Sequence, residues 1–294
     1  MKFKLMVLML AAAFCAAIVL PAVAEESVKE MMEKADKLAD QEKFKESNEI
    51  LKKVAEKDPD HPDVYWKISQ NYYDIGERMD IEENKDAKLE MYVKAEEWAK
   101  KGYDKNPELA DNAFWMAVGM SQQAQTKGIA STLISDRTLA KRMEEYYIKS
   151  TKAKEYHYRT DNADTIAAAH FALGQFYRKI PDSFFVGLLM GTRGDMDKSV
   201  EHAKKAVQMY PHNVEYNKEL GVSLMCRGQR EDEPGDIEEG KKYLKKVTQM
   251  KADSELDRID QKDAKKLIED PSLACGYSRV QQEEVSENAF KEEE

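Results

Sequence analysis

The chain has 294 residues, 42% of them hydrophobic and 35% charged, so it can bury a full-sized core while keeping an unusually charged surface. With only 13 Gly and 8 Pro, that composition suits long solvated helices and points to an all-α fold. A formal net charge of −10 argues against nucleic acid and anionic membrane surfaces as partners.

The first predicted element is a leader. Lys2 and Lys4 precede the apolar stretch "LMVLMLAAAFCAAIVLPAVA", and Ala22-Val23-Ala24 is a small-x-small cleavage site before Glu25. Residues 1–24 are therefore expected to be a signal peptide, and the mature protein to be exported, periplasmic or secreted, with no stable membrane insertion. A retained anchor is the alternative, since Leu5 to Ala24 is long enough to span a bilayer, but no basic stop-transfer residues follow. Phe14, and not a small residue, stands immediately before Cys15, which argues against lipidation. In an oxidising compartment the two remaining cysteines, Cys226 and Cys275, either pair and pin the C-terminal segment to the last helices, or stay as two small buried hydrophobes.

From residue 25 to 252 the chain repeats itself. "DVYWKISQNYYDIG", "DNAFWMAVGMSQQAQ", "IAAAHFALGQFYRKI" and "NVEYNKELGVSLMCRG" align with Ile68, Met116, Leu173 and Leu220 in one column and Ser69, Ala117, Gly174 and Gly221 in the next. Tyr72, Met120, Tyr177 and Leu224 follow three residues later. Large, small and large at i, i+1 and i+4 describe a helix face with a notch for close approach of a second helix. The partners read "FKESNEILKKVAEKDP", "YVKAEEWAKKGYDKNP" and "MDKSVEHAKKAVQMYP", aligned at Ser47, Ala95 and Ser199 and stopped by Pro59, Pro107 and Pro211. "IEEGKKYLKKVTQM" keeps the pattern with Gly240, Leu244 and Val247 but has no terminal proline. Longer insertions are expected at 77–89, 126–138, 180–193 and 229–236.

Helix, turn, helix and proline in this register resemble the tetratricopeptide repeat (TPR), whose L-G-x2-Y element stands here as Leu173, Gly174 and Tyr177. The resemblance implies a solenoid of about five helix pairs. Between about Pro62 and Met250, the "KGI" loop and the spacing of "TKGIASTLISDRTLAKRMEEYYIKSTKAKEY" are similar to the regulator-of-microtubule-dynamics family. "LMGTRGDMDKSVEHAKKAV" more weakly resembles periplasmic TPR subunits associated with TRAP transporters. What transfers is the fold, not the function.

Solenoids expose one face of each first helix along a concave surface. Trp66, Phe114 and Phe171 occupy equivalent positions on that face, with Lys218 in the fifth pair. Gln70, Val118, Gln175 and Val222 lie a turn further, then Tyr73, Ser121, Arg178 and Met225. An aromatic stripe edged by amides and an arginine suits an extended protein segment or an elongated apolar ligand; the competing reading is that the rings pack under the insertions. On this register Lys218 and the Arg178-Lys179 pair favour binding, because a closed core would not take up cations without partners.

Ser183 caps a short apolar helix, Phe184 to Met190, ending at Gly191. Phe184, Phe185 and Leu188 are expected to roof the groove. A membrane-dipping loop is the lesser alternative, because acids dominate its surroundings. Arg193-Gly194-Asp195 spells an adhesion tripeptide but leads straight into a helix start, and is discounted.

The sequence carries no catalytic signature. The five histidines are scattered without metal-ligand spacing, and there is no nucleophile elbow, P-loop or dinucleotide fingerprint. No enzyme activity, cofactor or metal is expected. Residues 253–280 are expected to form a capping helix through Leu256, Ile259, Ala264 and Leu267, followed by a docking segment, and 281–294 an acidic, largely disordered tail. The chain reads as a scaffold for a protein or peptide partner, with a small apolar ligand or lipid, carried for a transporter, as the alternative.

Overall fold

The computed structural model describes residues 26–279, 282 and 284–290; the signal-peptide expectation lies outside the described residues. Among them are thirteen α-helices: α1 (Val28–Asp40), α2 (Phe44–Lys57), α3 (Val64–Glu77), α4 (Ile81–Lys105), α5 (Ala110–Lys127), α6 (Ile129–Ser135), α7 (Leu139–Lys152), α8 (Thr165–Lys179), α9 (Phe184–Met190), α10 (Met196–Met209), α11 (Val214–Arg230), α12 (Pro234–Gln249) and α13 (Glu255–Glu269). One isolated bridge, Arg159 to Asp164, is the extended pairing among the described residues. None of the described helices is long and apolar enough to cross a membrane.

Local chemistry accounts for the helix ends. Ser27 and Glu30 form a capping box on α1, and Ser254 and Asp257 form another on α13. Helices α2, α4 and α10 stop two residues short of Pro59, Pro107 and Pro211, as the sequence predicts.

Five hairpins result: α1/α2, α3/α4, α5/α7, α8/α10 and α11/α12. Each helix of these hairpins packs on the next hairpin helix, and α3, α5, α8, α11 and α13 also pack on one another in sequence, forming the inner layer of an all-α solenoid. The column of large residues is inside: Ile68, Met116, Leu173 and Leu220 are all buried. The notch column does what small residues permit. Ser69 Oγ donates to the Ala95 carbonyl at 2.7 Å, and Ser199 Oγ to the Gly174 carbonyl at 2.8 Å. At the α11/α12 crossing, a Cβ on Gly240 would come within 2.5 Å of the Gly221 carbonyl oxygen, so neither helix tolerates a bulkier residue there.

Three of the four insertions become helix, and one is only a turn. Residues 77–89 do not loop out: Asp80 accepts hydrogen bonds from the Glu82 and Glu83 amides and starts α4 early, with a kink at Asn84. Residues 126–138 form α6, and 180–193 form α9. Residues 229–236 are a short turn between α11 and α12.

After α13 the chain turns back across the inner layer. Ala274, Cys275 and Tyr277 are buried, and Cys275 is joined to Cys226 of α11 by a disulfide. Residues 284–290, within the stretch expected to be largely disordered, include a 3-10 turn at Glu287–Phe290. Val285 and Phe290 are buried in the central core, because apolar side chains inside an acidic tail find the gap beside α6 and α9.

Candidate ligand-binding groove

Seven of the residues placed on the concave face from sequence meet at one cavity of about 250 Å³: Gln70 and Tyr73 from α3, Phe114, Val118 and Ser121 from α5, and Phe171 and Gln175 from α8. They converge because equivalent positions of successive first helices stack side by side. The rings support one another. Phe114 meets Trp115 edge-on at 5.2 Å, Tyr73 lies 5.4 Å from Trp115, and Phe171 lies 5.4 Å from Tyr216.

Trp66 stands just outside. Its indole N–H donates to Asp63 at 3.0 Å, its ring meets the edge of Tyr158 at 6.1 Å, and it lines a neighbouring vestibule of about 490 Å³. Gln70, Asp74 and Tyr158 belong to both spaces, so vestibule and cavity adjoin across these side chains.

Arg178 does not edge the groove. It is fully buried, gripping Glu219 with Nε and Nη2 at 2.9 and 3.0 Å and donating through Nη1 to the carbonyls of Ala274, Cys275 and Tyr277 at 3.0–3.1 Å. Lys218 is likewise buried, 2.5 Å from Asp260 and 3.0 Å from the Tyr277 hydroxyl. The premise that a closed core would not recruit these cations fails, since the core supplies their partners from α11, α13 and the C-terminal segment.

Helix α9 has the expected cap and end: Ser183 accepts from the Val186 amide, and Gly191 takes the left-handed conformation at φ 71°. Its position differs from the expectation. It rests on α7 and the Glu287–Phe290 turn, buries Val186 and Met190, half-buries Phe185, and leaves Phe184 and Leu188 80% and 75% exposed. None of these residues lines the cavity; its closing residues are Tyr158, Leu256 and Arg279.

From sequence Leu256 is expected only on the capping helix, and Tyr158, Arg279, Asp74 and Glu215 are not assigned to the groove. Arg279 carried a usable signal, being the one basic residue between Lys266 and Lys291. Its guanidinium reaches Glu77 of α3 at 3.1 Å, Glu215 of α11 at 2.6 Å and Asp260 of α13 at 2.9 Å. Burial works against its charge, but these three carboxylates outweigh burial and hold it well above the usual guanidinium range. Burial raises Glu215, with Arg279 opposing, and pushes Asp74 up to about 6, with Arg78 opposing. Among the described residues no group of three or more His, Cys, Asp or Glu side chains is placed to hold a metal ion.

Residues 31–157 match the family model described as regulator of microtubule dynamics protein 1-3. No curated protein matches the chain by sequence. Among solved structures the chain is similar to the MamA protein, at 16% identity and TM-score 0.44 over 78% of this chain and 98% of that one. It is also similar to TTC0263, a thermophilic TPR protein in Thermus thermophilus, at 13% identity and TM-score 0.48 over 82% of this chain and 100% of that one. The stacked hairpins in register make the chain an all-α helical-repeat solenoid whose architecture is similar to that of tetratricopeptide repeats.

Proposed function

We propose that the chain is an exported, non-catalytic scaffold that binds a partner protein along its inner, aromatic-lined face. One observation carries the reading: Gln70, Tyr73, Phe114, Phe171 and Gln175, spread over three hairpins, border a single open space. Rings edged by amides give apolar contact with directional hydrogen bonding, the combination that seats an extended segment. The leader pattern before Glu25 and the Cys226–Cys275 disulfide support a periplasmic or secreted location.

A second reading, a carrier of a small apolar ligand or lipid serving a transporter, is favoured by a different observation. Tyr158, Leu256 and Arg279 close over the inner face and limit the cavity to about 250 Å³, the size of a compact molecule or one large side chain.

The test is a paired capture. Immobilised protein and its Phe114→Ala/Phe171→Ala variant, matched by circular dichroism, are exposed to an envelope extract, and any protein retained is mapped by hydrogen exchange. The scaffold reading expects a partner that protects amides of α3, α5 and α8 and is lost with the variant. Equal retention by both proteins would reject it, and co-purifying lipid or organic acid in native mass spectra would favour the carrier.

A further inference from the structure

From the chemistry of the cavity wall we infer that the group the inner face recognises is an organic ammonium, either a free small cation or the side-chain ammonium of a partner. The inference deepens the groove reading and rests on it.

The wall is aromatic on most sides, with Tyr73, Phe114, Trp115, Tyr158, Phe171 and Tyr216 all bordering the space. Aromatic rings present negative faces and attract cations placed over them, more strongly where water is excluded. The charged groups of the same wall are two carboxylates, Asp74 and Glu215, and one cation, Arg279. Arg279 is outnumbered by Glu77, Glu215 and Asp260, and among the described residues Asp74 is paired only with Arg78, at 3.2 Å, so carboxylate charge stays in excess around the wall.

The approach carries the same sign. Asp36, Asp40, Asp63 and Asp74 line the vestibule against Lys67 and Arg159, and Lys67 is held by Asp36 at 2.7 Å. A cleft lined by one excess sign concentrates ligands of the other. An anion would meet two carboxylates at the inner wall. A purely apolar ligand would add nothing to the pairing that Arg78 and Arg279 already give these carboxylates, whereas an ammonium satisfies rings and carboxylates together.

Calorimetric titration of the purified protein tests this with three probes: choline, its uncharged isostere 3,3-dimethylbutanol, and a capped Ala-Lys-Ala tripeptide. Saturable binding of choline or the tripeptide at least tenfold tighter than the isostere is expected. Whichever of the two binds more tightly identifies the source as a free molecule or a partner side chain. Asp74→Asn should weaken the cation several-fold and leave the isostere unchanged. Phe171→Leu, which keeps bulk but removes the ring, should also weaken the cation and serves if Asp74→Asn misfolds. Equal affinity for cation and isostere, or no saturable cation binding, would overturn the inference. Partner capture that depends on Phe114 and Phe171 yet shows no preference for ammonium would leave the groove reading standing while this one falls.

Discussion

Arg279 Nη1 stands 3.1 Å from Glu77 Oε2, joining residues 202 positions apart and fastening the C-terminal segment to the second hairpin. Glu77 and Asp260 are almost wholly buried; Asp260 is shared between Arg279 and Lys218, whereas the cation paired with Glu77 is Arg279. Replacing it with Met should cost about 3–5 kcal/mol, the usual penalty for leaving a buried charge unpaired, read as a lowered urea midpoint with little change in slope. A loss under about 1 kcal/mol, the range of an exposed ion pair, would mean that the segment does not lie across the inner face.

The Cys226–Cys275 disulfide closes a separation of 49 residues between α11 and the segment that Arg178 anchors. Cross-linking a loop of that length restricts the unfolded chain and is worth about 2–4 kcal/mol. Cys226→Ser/Cys275→Ser should lose that amount in denaturant titrations and gain protease cleavage near residues 270–279. Equal stability in oxidised and doubly substituted protein would contradict the pairing.

His170 of α8 and His202 of α10 meet Nδ1 to Nδ1 at 2.7 Å, an arrangement that needs at least one neutral ring. Burial lowers both to about 4. Lys205 adds to the shift at His170, and His170 and Lys205 add to it at His202, while Glu201 opposes it at both rings. Lys198 and Asp164 also face the pair. Between pH 6.5 and 4 the unfolded chain takes up protons that the folded pair refuses, so stability falls as pH drops through that window and is unaffected above it. Asp74, raised to about 6, works in the opposite direction but is common to any His variant. His202→Gln should therefore flatten the decline of Tm between about pH 7 and 4.5 by a few degrees relative to the parent. Parallel curves would place the pair outside the titrating set.

Short-range patterning was legible from sequence. The buried columns headed by Ile68 and Ser69, the proline stops, and the Ser183-capped helix ending at Gly191 all follow from spacing within one or two turns. The groove was half legible: Phe114, Phe171, Gln70, Tyr73 and Gln175 follow from the repeat register, because stacking converts equivalent positions into neighbours. Arg178 and Lys218 share that periodicity yet belong to the core, since their partners Glu219 and Asp260 lie 41 and 42 residues away with no pattern linking them. Tyr158 and Arg279 sit in non-repeating segments, where a sequence without periodicity says nothing about which face the chain will cross. A run of large apolar residues in an insertion suggests burial over the groove with Phe184, Phe185 and Leu188 as its roof, but α9 docks through Val186 and Met190 on α7 and the C-terminal turn instead.

The central claim is that binding happens on the inner face. Its most direct test places a photo-crosslinking residue at Gln175, on the cavity wall, and separately at Lys242, exposed on α12, in cells expressing each variant. The account predicts a discrete adduct from position 175 that disappears in the Phe114→Ala/Phe171→Ala background, and none from position 242. An adduct from position 242 with none from 175 would contradict it.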